Sequence, residues 1–330
     1  MTTAARGTYV SDRTLARIVR TGLVIIAIGI PLLAVLYVLD REPQQGNTLG
    51  DRQIAAAEEA VRAAPSQIGL RLALAQLYRV DGRTDEALAQ FDEVLKVDKH
   101  QKTALLGRAD ILLAGGDHDS AQAAYRKVIK LATGAEFSQV DPQLEAAHYG
   151  LASSLSQGGR TRSAVAELEA ALKIDPTDAD AWYLLGSTQL EAGAMAQAVE
   201  AFRRAVLFVP TGWCEPYASL STAYTKLRRT AFAESAGAMA DYCETGDAAA
   251  ATARLEPLAA GPARIDAMLG LGMIAEASAN GPAAVAWYRK VLAADSGNFN
   301  ARAGLTRLGA SPAPRGKTTP PETAGQEEET

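Results

Sequence analysis

Three histidines and two cysteines are the residues of this 330-residue chain best suited by type to metal or redox chemistry. His100, His118 and His148 are widely separated. His118 lies between Asp117 and Asp119 in a short polar stretch between two amphipathic segments, the setting of a turn or helix cap. A closed metal site needs three or four convergent ligands, and no such spacing is present. No Ser, His and Asp grouping has supporting context, and neither a Gly-x-Ser-x-Gly elbow nor a phosphate-binding loop occurs. Gly270-Leu271-Gly272 falls inside a helical pattern and reads as close packing. Tyr217, Tyr224, Asp241, Tyr242 and Glu244 are the titratable groups of the least regular stretch, but no spacing aligns them. The expectation is no catalytic residue, no metal, no cofactor and no enzyme.

Cys214 and Cys243 sit at the outer ends of two helical stretches, 214–227 and 230–243. An antiparallel hairpin turning near 228–229 brings them to the same end. Two readings stand: a disulfide, worth roughly 3–4 kcal/mol through loop closure, or two buried free thiols. An oxidising compartment permits the first.

The elements that would position these residues are helical. Hydrophobic residues make up 48%, yet aromatics only 6%. Ala and Leu dominate, which suits close-packed helices better than sheets. The net charge is −5. A mildly acidic body without clustered Lys and Arg excludes nucleic-acid binding.

Residues 21–39 carry no charge and are mostly Ile, Leu, Val and Ala. As a helix they would span roughly 28 Å, close to the hydrocarbon thickness of a bilayer. Leu39-Asp40-Arg41-Glu42-Pro43 offers no small-x-small cleavage site, so an uncleaved anchor is expected over a removed signal peptide. Arg6, Arg13, Arg17 and Arg20 precede the span, which keeps segment 1–20 in the cytoplasm. Everything after residue 40 then lies outside it. Residues 40–51 read as a polar linker. Residues 309–330, with four prolines and the Glu327-Glu328-Glu329 end, read as a disordered tail. Ala richness fits a high-GC bacterial source and a bacterial cytoplasmic membrane.

Between linker and tail the chain repeats. Gly82, Gly116, Gly159 and Gly193 are spaced 34, 43 and 34, the 43 being 34 plus a nine-residue insertion. Ala87, Ala121, Ala164 and Ala198 hold the same register. So do Phe91, Tyr125, Leu168 and Phe202, and then Val94, Val128, Ala171 and Ala205. The Gly column falls between amphipathic stretches, where a turn needs positive φ. The Ala column falls where helices cross closely, with the aromatic column four residues on along the same face. Each unit is helix, turn, helix, and must stack on its neighbours to bury its apolar face.

The segment 179–210, with Trp182, Leu185, Gly186, Gly193, Ala198, Phe202, Ala205 and Pro210, resembles a tetratricopeptide repeat throughout. Leu151, Ala152, Gly159, Ala164, Ala171 and Pro176 match in the unit before, and Leu74, Ala75, Tyr78, Ala87 and Phe91 in the first. Arg108, Gln189, His148, Lys99 and Thr133 depart from the pattern. The resemblance implies an all-α solenoid of antiparallel helix pairs over 52–308, clear at 68–210 and degenerate at 211–308. A final helix at 298–308 would cap it.

The resemblance also implies a groove lined by the first helices. Its fifth positions are Leu72, Leu106, Tyr149 and Tyr183. Its ninth positions are Gln76, Asp110, Ser153 and Ser187. The Lys, Arg and Asn set that grips a C-terminal carboxylate in some family members is absent, so the lining suits a peptide held by Leu and Tyr contacts. The expected function is a membrane-anchored scaffold binding a protein or peptide, with lipid contacts confined to 21–39. The alternative by analogy is an assembly factor of c-type cytochrome or envelope biogenesis that holds unfolded clients.

Overall fold

The computed structural model describes residues 48–311. Among them the chain forms helices and no strand: α1 (Leu49–Ala63), α2 (Ile68–Val80), α3 (Thr84–Val97), α4 (Lys102–Ala114), α5 (His118–Ala132), α6 (Pro142–Gln157), α7 (Thr161–Ile174), α8 (Ala179–Glu191), α9 (Met195–Phe208), α10 (Glu215–Lys226), α11 (Thr230–Thr245), α12 (Ala248–Leu255), α13 (Arg264–Ala277), α14 (Gly281–Ala294) and α15 (Phe299–Arg307). Segments 1–20 and 21–39 and residues 312–330 of the expected tail lie outside the described residues. No described helix is long and apolar enough to cross a membrane.

Local chemistry sets the helix starts. Thr48 and Asp51 form a reciprocal capping box that starts α1 at Leu49. The expected linker 40–51 therefore ends earlier, because its last three residues belong to a helix whose first orphan N–H groups are already satisfied. Asp141 caps α6 with Pro142 at its first turn. Asp117, Asp178, Asp247, Asn280 and Asn298 cap their helices in the same way. The Gly column turns with φ of +79°, +81°, +69° and +79° at Gly82, Gly116, Gly159 and Gly193, the left-handed region that disfavours a Cβ.

Backbone contacts divide the chain after Gln90. In the first unit α1 packs on α2 through Ile54, Val61, Leu74, Ala75 and Tyr78, all buried. The Tyr78 hydroxyl donates to Glu58 at 2.8 Å, and the Arg83 guanidinium lies 4.3 Å from the Tyr78 ring centre.

The second unit stacks helix against helix from Phe91 onward. Ala121, Ala164 and Ala198 are fully buried, as are Phe91, Leu168 and Phe202, with Tyr125 1% exposed. The stacking depends on missing Cβ atoms. A Cβ at Gly150 would lie 2.3 Å from the Tyr125 ring, and one at Gly107 2.3 Å from Phe91. Near the C-terminal end Tyr288 is held between Gly272 and Gly304, where added Cβ atoms would sit 2.6 and 2.3 Å from its ring. The reading of Gly270-Leu271-Gly272 as close packing agrees with this arrangement. The insertion after Thr133 is a surface loop with a 3₁₀ turn at Ser138–Val140.

Regular alternation stops after α11. The expected helix 248–259 ends at Leu255 and continues as a 3₁₀ turn, Glu256–Ala260. Pro257 has no N–H to donate and its ring crowds the carbonyl four residues back, which ends the α-helix. This extra half-turned element breaks the two-helix rhythm. It lets α13 pack against α11 and α12, and place Asp266 3.1 Å from Arg203 on α9. The last helix, α15, spans Phe299–Arg307, within the expected 298–308.

Candidate peptide-binding groove

First helices of successive units touch side by side within the second unit: α4 with α6, α6 with α8, and α8 with α10. The sequence-selected residues sit at matching positions on these helices, but the structure gives them different work.

Leu106 is half-buried against the Tyr125–Leu151 core. Asp110 is exposed, and its carboxylate accepts the Tyr125 hydroxyl at 2.7 Å. Burial first, then the Asp110 carboxylate, pushes the pKa of that hydroxyl well above its ordinary value. Asp110 is thus tied to its own unit's aromatic column. Tyr149 is half-buried against the Leu168–Leu185 core. Its hydroxyl is pushed up to about 12, chiefly by burial and then by Asp180, Asp178 and Glu145. Tyr183 packs against Phe202 and Trp213, with ring centres 5.6 and 5.0 Å away. Tyr183 is half-buried, packed against the Phe202–Leu220 core. Ser153 accepts from Gln157 at 3.3 Å, and Ser187 is half-buried on α8. In the first unit Leu72 is half-buried, and the Gln76 amide oxygen accepts from Arg79 at 2.9 Å. On the second unit Asp110 is exposed, and Tyr149, Ser153, Tyr183 and Ser187 are half-buried.

Beneath this face lies a polar seam. Ser154, fully buried, accepts from Gln122 at 2.9 Å and lies 3.3 Å from His118 Nδ1. Gln122 in turn accepts from Arg126 at 3.1 Å and from Arg160. His118 therefore serves inter-helix hydrogen bonding. His148 pairs with Glu167 at 2.6 Å.

Glu145, at the start of α6, faces Asp178 and Asp175. Burial first, then those two carboxylates, raises it from 4.5 to about 7. One of its oxygens is buried without a hydrogen-bond partner.

In the irregular region the five titratable residues separate. Tyr217 and Tyr224 line a cavity of about 120 Å³ beside Arg203 and Asp266. Asp241 instead pairs with Arg254 on the surface. Arg203 stays charged: burial opposes its charge, but the Asp266 carboxylate and the Tyr224 hydroxyl more than compensate. Cys214 and Cys243 are joined in a disulfide, with Cα atoms 5.4 Å apart, closing the open end of the α10–α11 hairpin.

Stacked two-helix units with a face of aligned first helices define an α-solenoid repeat protein. The tetratricopeptide repeat family model matches residues 72–136 and 149–212, and these two stretches carry repeats of that family. No curated protein matches the chain significantly. Solved structures that it resembles include MamA from Desulfovibrio magneticus RS-1, 22% identical over 55% of this chain and 97% of that one, TM-score 0.48. YrrB, described as a TPR protein with an unusual peptide-binding site, is 18% identical over 59% of this chain and 95% of that one, TM-score 0.46. A tetratricopeptide repeat protein from Parabacteroides merdae ATCC 43184 is 17% identical over 78% and 93%, TM-score 0.44.

Proposed function

We propose that this chain is a membrane-anchored scaffold that holds its repeats outside the cytoplasm and binds a protein partner on the first-helix face. The observation that carries the reading is the side-by-side contact of α4, α6 and α8, with Tyr149, Ser153 and Ser187 at matching, half-buried positions. A half-buried aromatic beside small polar residues offers a partner apolar area and hydrogen bonding with few side chains to immobilise. The anchor rests on the uncharged stretch 21–39 and its flanking arginines.

The test is affinity capture of the full-length chain from gently solubilised membranes, beside the Ser153→Arg, Ser187→Arg variant. Two added guanidinium groups obstruct the face without removing core atoms. A partner retained by the parent chain and lost by the variant supports the groove. Equal recovery with both refutes it. Alkaline extraction of membranes tests the anchor separately: a chain released with peripheral proteins would contradict it.

A further inference from the structure

We propose that the chain has a second docking surface, a notch between α7, α8 and α9 that accepts an amphipathic helix from a partner, with a Lys or Arg opposite Glu169. The molecule itself supplies the template. Trp182, Leu185 and Gln189 on α8 occupy the places that Tyr217, Leu220 and Tyr224 occupy on α10, one unit later. The walls correspond as well: Leu172 to Val206, and Ala201 to Ala236. These are one architectural notch, repeated.

The two copies differ in what covers them. Over the α10 notch lies α13, which presents Asp266, Leu269, Gly270 and Met273 to it. These positions, i, i+3, i+4 and i+7, form one face of a helix. Gly270 permits a close approach, since a Cβ there would lie 2.7 Å from the Met239 sulfur. The covered notch is also satisfied in charge and hydrogen bonding. Arg203 donates to Asp266 at 3.1 Å and to the Tyr224 hydroxyl at 3.2 Å. About 120 Å³ remains beneath α13.

The α8 notch has no such cover among the described residues and keeps about 440 Å³. Its floor is apolar at Leu172, Leu185 and Ala201, with Trp182 half-buried at one end. The Gln189 amide oxygen, in the place of Tyr224, is buried without a hydrogen-bond partner, a condition that costs free energy until a donor arrives.

Charge then selects the occupant. Where the covered notch has Arg203, the open one has Glu169, which is exposed. Where the covered one has Ser235, the open one has Glu200, paired on the surface with Arg204 at 3.2 Å. Lys173 lies one turn beyond Glu169 on the same wall. A helix built like α13 but carrying a cation in place of Asp266 would meet Glu169 as Asp266 meets Arg203. Like charges placed there would repel.

The test uses two fluorescein-labelled synthetic peptides of sequence 264–277, one unchanged and one with Asp266→Lys, titrated by anisotropy against the full-length chain in mild detergent. The expected result is at least about tenfold tighter binding of the Lys peptide. The Glu169→Arg variant should invert that preference, and Trp182→Ala should weaken the Lys peptide about tenfold. Glu169 is exposed, so its variant keeps the test valid if Trp182→Ala perturbs folding. Failure of the Lys peptide to bind, or the same peptide preference in parent and Glu169→Arg chains, overturns the proposal. Sedimentation of the unliganded chain closes the remaining route: a dimer dissociated by Glu169→Arg would make a second copy the occupant and overturn the partner assignment. Because Ser153 and Ser187 lie outside this notch, its failure leaves the first-helix groove untouched.

Discussion

At the residue scale, the stack depends on absent Cβ atoms as much as on present side chains. Gly150 faces the Tyr125 ring so closely that Gly150→Ala must shift buried aromatic atoms on α5. Overpacking of this kind costs about 1–3 kcal/mol, and a chemical denaturation midpoint should fall accordingly with an unchanged slope. Glu145 gives a second residue-scale prediction. Its folded pKa is raised from 4.5 to about 7, so the folded state holds a proton that the unfolded state releases. The contribution of Glu145 to stability should therefore be fully present below pH 4.5 and decline as pH rises toward 7. Glu145→Gln should remove that decline, gaining about 1 kcal/mol at pH 8 after allowance for solvent screening and nothing at pH 4. Thermal melts of both proteins across that range measure it. A parallel pH profile for the two would exclude Glu145 as the cause.

At the element scale, the α10–α11 hairpin is closed by Cys214 and Cys243 at its open end. Replacing both by Ser should lower stability by about 2–4 kcal/mol under non-reducing conditions and by little under reducing ones. The same loss in both conditions would show that side-chain packing, not the crosslink, was removed. Much of the element plan was legible in the sequence. The Gly column marked turns because only a residue without a Cβ tolerates the left-handed backbone there, and the Ala and aromatic columns marked the buried face. The break after α11 was harder to see. Pro257 signals a helix end, but nothing local says that α13 will then reach back to Arg203 on α9. Repeat patterns encode contacts between neighbours, and the Arg203–Asp266 pair joins elements that are not neighbours in sequence. The proposed groove was legible only as positions. The family resemblance assigned Asp110 and Tyr183 to first helices, but did not say that Tyr125 would bind the first, or that Phe202 and Trp213 would pack around the second.

At the scale of the whole molecule, the repeats offer two surfaces with different chemistry. One is the first-helix face with Tyr149, Ser153 and Ser187; the other is the notch beside Trp182 and Glu169. Solenoids of this kind gain stability from neighbour contacts, so such surfaces can vary with little cost to the fold. The Ser153→Arg, Ser187→Arg variant should accordingly keep its helicity and melting temperature within a few degrees while losing its partner. A large fall in melting temperature would assign those serines to the core instead.

On the function proposed above, a protein partner binds the first-helix face. The most direct measurement places a photo-crosslinking amino acid at Ser153, at Ser187 or at exposed Ala286 on α14, and irradiates intact cells. A discrete crosslinked species is expected from Ser153 and Ser187 and none from Ala286. Adducts of equal yield from all three positions, or from Ala286 alone, would contradict it.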